Sequence, residues 1–276
     1  MPTPVLLLHS SLASGAQWRT LAASLEARYQ VFAPDLIGYG KAPAWSGEGP
    51  FHLHDEARAI HALLDGLDEP AHLVGHSYGG AVALHVAREH GPRLSSLTLI
   101  EPVAFHLLRD GDAADAAALA EIRAVADGIA RGLASGEYAS ACGAFVDYWS
   151  GAGTWASMGQ AKRAAAALRV GKVALDFHAT LEQRARLAGL ERLPLPTLVV
   201  HGERSPAPTR RICESLARRL PDVRAETIAG AGHMSPITHA EEVNALITAH
   251  LDANSQHRIG ASHPHHPRRE SWIPQS

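Results

Sequence analysis

Short apolar runs of strand length punctuate the chain, and between most of them apolar residues recur every three or four positions. The runs lie at 5–9, 29–34, 71–76, 96–101 and 196–201, with a last strand expected near 225–228. Apolar character at consecutive positions, rather than alternation, fits parallel strands covered on both faces. Trp18, Leu21, Ala22 and Leu25 share one helical face within 17–28, and Ala57, Ile60, Leu63 and Leu64 do so within 54–67. Further helices are expected from the turn after the third run to about 90, over about 209–220 and over about 240–253. The alternation predicts an α/β fold whose mostly parallel sheet is flanked by helices.

Between 104 and 189 the alternation stops. This stretch is alanine-rich, has helical spacing and carries no convincing buried strand, so it is expected to be a helical cap inserted after the strand ending at Glu101. Residues 1–103 and 190–253 then form the core, and 254–276, rich in proline, histidine and arginine without apolar periodicity, is expected to be a disordered tail. Only 5% of the chain is aromatic, yet the cap holds Phe145, Tyr148, Trp149, Trp155 and Phe177, together with Met158. Two readings stand for these side chains, the cap's own core and substrate contact; Trp149 and Trp155 are the candidates for contact.

Composition narrows the function classes. The 276 residues are 46% hydrophobic, enough for one substantial core, and a formal net charge of −3 gives no reason to expect nucleic acid or an anionic membrane as partner. Cys142 and Cys213 are the only cysteines and imply no disulfide framework, so a cytoplasmic location is expected. The first residues run straight into Val5 with no basic region or long apolar segment, which supports neither export nor a membrane span. His263, His265 and His266 have no carboxylate or cysteine partner at useful spacing, so no metal site is assigned.

The candidate chemistry sits at Gly75-His76-Ser77-Tyr78-Gly79, between an apolar run and an alanine-rich helical stretch. A serine at the apex of a sharp strand-to-helix turn is lifted above the sheet, and glycines two positions either side avoid collision between strand and helix. Ser77 is therefore a candidate nucleophile, and the amide of Tyr78, opening a helix, a candidate oxyanion donor. His233, in the glycine-rich loop after the last strand, is the candidate base, because loops at the carboxyl ends of parallel strands converge on one sheet edge. His76 is expected to pack beside the turn, and His9 to shape its loop by hydrogen bonding.

These pieces resemble the α/β-hydrolases over about residues 4–252. Gly75 to Gly79 resembles that family's nucleophile elbow, residues 35–40 its aspartate-and-glycine loop, and Gly232-His233 its histidine loop. The resemblance implies hydrolysis of an ester or similar acyl compound of modest size by a Ser-His-acid triad through an acyl-enzyme, with no cofactor and a small-molecule substrate. It also implies a second oxyanion donor after His9, the amide of Ser11. Three features depart from the family pattern. Ser10 replaces the usual glycine after the histidine. Ser205 occupies the usual position of the triad aspartate, so Glu101, at the end of the neighbouring strand, is the expected acid, with Glu203 the other candidate. Two strands usual before the one at Val5 are missing, which would leave strand 29–34 at an exposed edge that an upstream segment or a homodimer would cover. Carbon–carbon bond hydrolysis and cofactor-free perhydrolysis use the same triad, and a non-catalytic ligand-binding protein would also fit the altered acid position.

Overall fold

The computed structural model describes residues 2–184 and 188–256. Six strands, β1 (Thr3–Leu8), β2 (Tyr29–Phe32), β3 (Ala71–His76), β4 (Leu94–Ile100), β5 (Thr197–Gly202) and β6 (Val223–Ile228), form one sheet in the order β2-β1-β3-β4-β5-β6. Every neighbouring pair is parallel. Each strand therefore needs a crossover, and these are α1 (Arg19–Leu25), α2 (Leu53–Asp65), α3 (Tyr78–His90) and α9 (Ala207–Arg219), with α10 (Ser235–Thr238) and α11 (Ala240–Gln256) closing the chain. Between β4 and β5 lie α4 (Ala113–Ala134), α5 (Tyr138–Ser150), α6 (Thr154–Ser157), α7 (Gln160–Ala167) and α8 (Val170–Leu181), in the stretch where the strand rhythm breaks off.

The apolar runs are explained by two buried layers. Leu6, Leu8, Leu73, Leu97 and Leu99 face one side of the sheet, packing with residues of α2, α3 and α9 and extending into the cap. Val5, Leu7, Val74, Ile100 and Val200 face the other, against Trp18, Leu21 and Leu25 and against Val243, Ile247 and Leu251 of α11. Because both faces are covered, alternation along a strand separates two cores instead of core from water.

The first helical segment is shorter than its periodicity suggests. A 3₁₀ turn at Gly15–Trp18 precedes α1, and the residues after Leu25 turn towards β2. The closing helix is longer. Its C-terminal residue is Gln256, so the tail expected from 254 starts too early: Ser255 Oγ donates to the Leu251 carbonyl and also meets His72 Nε2 at 2.9 Å, which ties this turn to β3. The remainder of the expected tail, with His263, His265 and His266, lies outside the described residues. Cys142 and Cys213 are buried free thiols. No helix among the described residues is long and apolar enough to cross a membrane. Strand β2 lies at the sheet edge, as expected.

Candidate active site

Registry sets the site. Leu8 lies opposite Gly75 and Gly75 opposite Leu99, while Ile100 lies opposite Val200, so β1, β3, β4 and β5 finish at similar levels. The residues immediately after them converge on one edge. Ser77 follows β3 with φ 56° and ψ −117°, and Glu101 follows β4 with φ 45°, left-handed conformations that side-chain-bearing residues rarely adopt. The turn is held from both sides. Ser77 N–H donates to the Ile100 carbonyl at 2.9 Å, and Glu101 N–H to the Val200 carbonyl at 2.9 Å. A Cβ on Gly75 would come within 2.3 Å of the Gly79 carbonyl oxygen, and one on Gly79 within 2.4 Å of that of Leu8, so the crossing of strand and helix leaves no room there.

Ser77 Oγ lies 2.9 Å from His233 Nε2, and His233 Nδ1 lies 2.7 Å from Glu101 Oε2. All three residues are buried. Glu101 also accepts from the Gly202 N–H at 2.8 Å, the Thr209 hydroxyl at 3.0 Å and the Ser205 hydroxyl. Burial alone would push its carboxyl up, but the facing His233, aided by the hydrogen bonds from Ser205 and Gly202, outweighs burial and holds it at about 2. Ser205, at the position where the resemblance would place an aspartate, thus donates to Glu101 instead. Glu203 is turned elsewhere: its carboxylate accepts from the Gly230 N–H at 2.8 Å in an exposed loop.

Tyr78 opens α3, with its amide at the positive end of the helix dipole, and Ser11 lines the cavity beside Ser77. That cavity has two arms. The narrow one, about 20 Å³, runs past Phe105, Val173 and Phe177 towards Asp176 and Thr180. The wider one, about 260 Å³, runs past Leu12, Val146, Met158 and Ile237. Trp149 borders both arms, and its ring lies 4.2 Å from that of His233. Trp155 is placed differently from the expectation. Its ring packs against Gly143 on α5 and it borders neither arm, so it belongs to the cap's internal packing.

The family model for the alpha/beta hydrolase fold matches residues 3–240. The chain belongs to the α/β-hydrolase fold family. Among curated relatives, lipase LipV of Mycobacterium tuberculosis is 38% identical over 102 residues, 37% of this chain and 38% of the relative. A pimeloyl-[acyl-carrier protein] methyl ester esterase of Aeromonas hydrophila is 36% identical over 106 residues, 38% of this chain and 40% of the relative. Each match thus spans about two-fifths of the relative's length. In structure, the chain resembles a 2-hydroxy-6-oxo-6-phenylhexa-2,4-dienoate hydrolase of a Rhodococcus species, with TM-score 0.70, 20% identity and 91% coverage of both chains.

Within this α/β-hydrolase, two polar networks escaped the sequence reading. In the first, Gln17 Oε1 accepts from both the N–H and the hydroxyl of Ser10, the residue that replaces the family glycine, at 3.1 and 2.9 Å. Its amide nitrogen reaches His76 Nδ1 at 3.1 Å, and His76 Nε2 reaches the His233 carbonyl at 2.9 Å. One neutral tautomer satisfies both contacts, with Nδ1 accepting and Nε2–H donating. His9 does shape its loop, since its Nε2 accepts from the Leu36 N–H at 2.9 Å. The second network joins cap to core. Lys172 of α8 donates to Glu56 of α2 at 3.1 Å and to Asp176, one turn further along α8. Glu56 also accepts from the Tyr78 hydroxyl at 3.0 Å, and Asp176 accepts from the hydroxyls of Ser11 and Tyr39, each at 2.6 Å. Both residues that carry the candidate oxyanion amides are thereby tied by their side chains to one buried ion cluster. Its signal in sequence is only a lysine and an aspartate four apart, which reads equally as a solvent-exposed helix pair.

Buried neutral histidines should make this fold acid-sensitive. Burial, followed by the adjacent His233, holds His76 down to about 3, and burial holds His106 down to about 4. Both lie below the ordinary 6.5, so the unfolded chain takes up protons that the folded chain refuses, and stability falls as pH drops from 6.5 towards 4. At 1.36 kcal/mol per unit, the two together cost about 5 kcal/mol at about pH 4.5. Urea melts at pH 7, 5.5 and 4.5 should show this decline, and the doubly substituted His76→Gln, His106→Gln protein should lose part of the slope. A wild-type stability that stays level over this range would refute the assignment.

Proposed function

We propose that the protein is a serine esterase acting on uncharged, predominantly apolar esters through an acyl-enzyme. The observation that carries this reading is the unbroken contact Ser77–His233–Glu101 opening into a cavity with aromatic walls. Ser77 Oγ attacks the ester carbonyl while its proton passes to His233 Nε2, and the amides of Tyr78 and Ser11 take the developing negative charge. His233 then returns the proton to the leaving alcohol. Glu101 stabilises the transient imidazolium, and water, deprotonated by the same histidine, releases the acid and restores Ser77. Among the described residues, neither arm of the cavity is lined by arginine or lysine, and the Asp176 that reaches the narrow arm is already paired with Lys172. Such a lining disfavours substrates that carry a carboxylate and supports a neutral ester over a dienoate-type carbon–carbon substrate. The test is fluorophosphonate labelling with peptide mapping. A stoichiometric adduct at Ser77 is the expected result; a folded sample that takes up no probe would make this a ligand-binding protein.

The unequal arms imply a substrate with one small and one larger side. A space of about 20 Å³ holds little more than one or two water-sized groups, so the narrow arm suits a short acyl chain. Trp149 separates the arms, and Trp149→Ala is expected to join them. The ratio of kcat/KM for p-nitrophenyl hexanoate over acetate should rise by at least roughly 10-fold, the effect of seating even one further methylene, about 1–3 kcal/mol, in an apolar pocket. An unchanged ratio in a folded variant would return Trp149 to plain packing.

A further inference from the structure

The helix pair α2 and α3 carries a histidine cluster that the esterase chemistry does not use. His54 lies in the first turn of α2 and His61 two turns later, while His85 and Glu89 stand one turn apart on α3. Three imidazole nitrogens surround a single carboxylate oxygen. Glu89 Oε2 is 3.4 Å from His85 Nε2, 3.7 Å from His61 Nε2 and 3.9 Å from His54 Nδ1. The donor atoms of His54, His85 and Glu89 all lie within 4.8 Å of one another.

These contacts are poor hydrogen bonds. The Nε2 atoms of His61 and His85 are buried and make none, although the His85 side chain is only 10% exposed. An unpartnered imidazole nitrogen in such a place costs free energy unless something else uses its lone pair. The spacing suits a metal instead. A tetrahedral cation with donors at about 2.0–2.2 Å sets those donors about 3.3–3.6 Å apart, close to the separations around Glu89 Oε2. The rings of His54 and His85 stand at 90° with centroids 6.4 Å apart, so they approach the common point from different directions. Behind His85, Nδ1 meets the Gln183 side-chain amide at 3.2 Å.

We propose that His54, His85 and Glu89 bind a borderline divalent cation of the zinc type, with His61 beside Glu89 at 3.7 Å and His54, 63% exposed, at the solvent side. Two imidazoles and a carboxylate select such a cation over calcium or magnesium, which favour all-oxygen sites. The ion clamps α2 to α3 and takes no part in the reaction. α2 also supplies Glu56, and α3 begins beside Ser77, so the clamp braces the helices behind the elbow.

The test uses the full chain, stripped with EDTA, with His257, His263, His265 and His266 changed to serine so that tail binding is removed from the signal. In this background, Zn²⁺ titrated by calorimetry should bind at one per chain with a micromolar Kd, and at 100-fold excess over Kd it should raise Tm by about 5 °C. Adding His54→Ala or Glu89→Gln should weaken binding at least 10-fold and abolish the Tm shift, while Mg²⁺ gives no shift in any variant. Both changed residues are substantially exposed and should leave the fold intact by circular dichroism and the esterase rate near that of the parent. His85→Ala serves as the stronger variant if it folds. Loss of all Zn²⁺ binding on replacing the tail histidines, or equal affinity with and without His54 and Glu89, would overturn the proposal.

Discussion

Replacing Ser77 with alanine is expected to lower turnover of an activated ester by about 10⁴- to 10⁶-fold, the range typical of removing a catalytic nucleophile. The turn itself should survive. Its strained backbone is held by main-chain hydrogen bonds to Ile100 and from Val103 and Ala81, none of which involves the hydroxyl. Loss of Oγ removes one contact, to His233 Nε2, at a position that faces the cavity. The measurement is kcat on p-nitrophenyl acetate beside the melting temperature, with fluorophosphonate uptake as a second readout. Residual activity above a thousandth of wild type in a preparation free of contaminating esterase would place the nucleophile elsewhere.

The second large effect concerns the acid. In Glu101→Gln the side-chain oxygen can still accept from Gly202 and Ser205, so packing is largely retained, but the amide presents N–H to His233 Nδ1. The imidazole must then accept at Nδ1 and carry its proton on Nε2, the wrong tautomer for taking a proton from Ser77. Turnover should fall ~10² to 10⁴-fold. Glu203→Gln, altering a carboxylate that caps the Gly230 N–H, should change it less than about 3-fold, within the small effect usual for exposed groups. Adding Ser205→Asp to Glu101→Gln should recover part of the rate by supplying a carboxylate from the family's usual position. Added to the wild type, the same change sets two carboxylates side by side and should slow the enzyme, since each raises the pKa of the other. A fast Glu101→Gln enzyme together with a crippled Glu203→Gln would reassign the acid.

Local chemistry made much of this molecule readable from the chain alone. The apolar runs that became β1, β3, β4 and β5 are legible because a strand covered on both faces must be apolar at consecutive positions. Gly75, Ser77 and Gly79 are legible because a crossing of strand and helix tolerates no Cβ at its flanks. His233 follows from the convergence of parallel strand ends, which is a property of the topology more than of any distance. The choice between Glu101 and Glu203 was not decidable in this way. Both sit near strand ends, and only the left-handed turn at Glu101, with donors arriving from Gly202, Ser205 and Thr209, aims one of them at His233. Trp149 and Trp155 also look equivalent in sequence, six residues apart in one aromatic cap; packing against Gly143 withdraws the second from the cavity. The tertiary structure alone brings Lys172 and Asp176 onto Glu56, Tyr78 and Ser11, and sets His54 beside His85 and Glu89. These groups come from helices and loops distant in the chain, and periodicity records which face of a helix is buried without recording which other helix buries it.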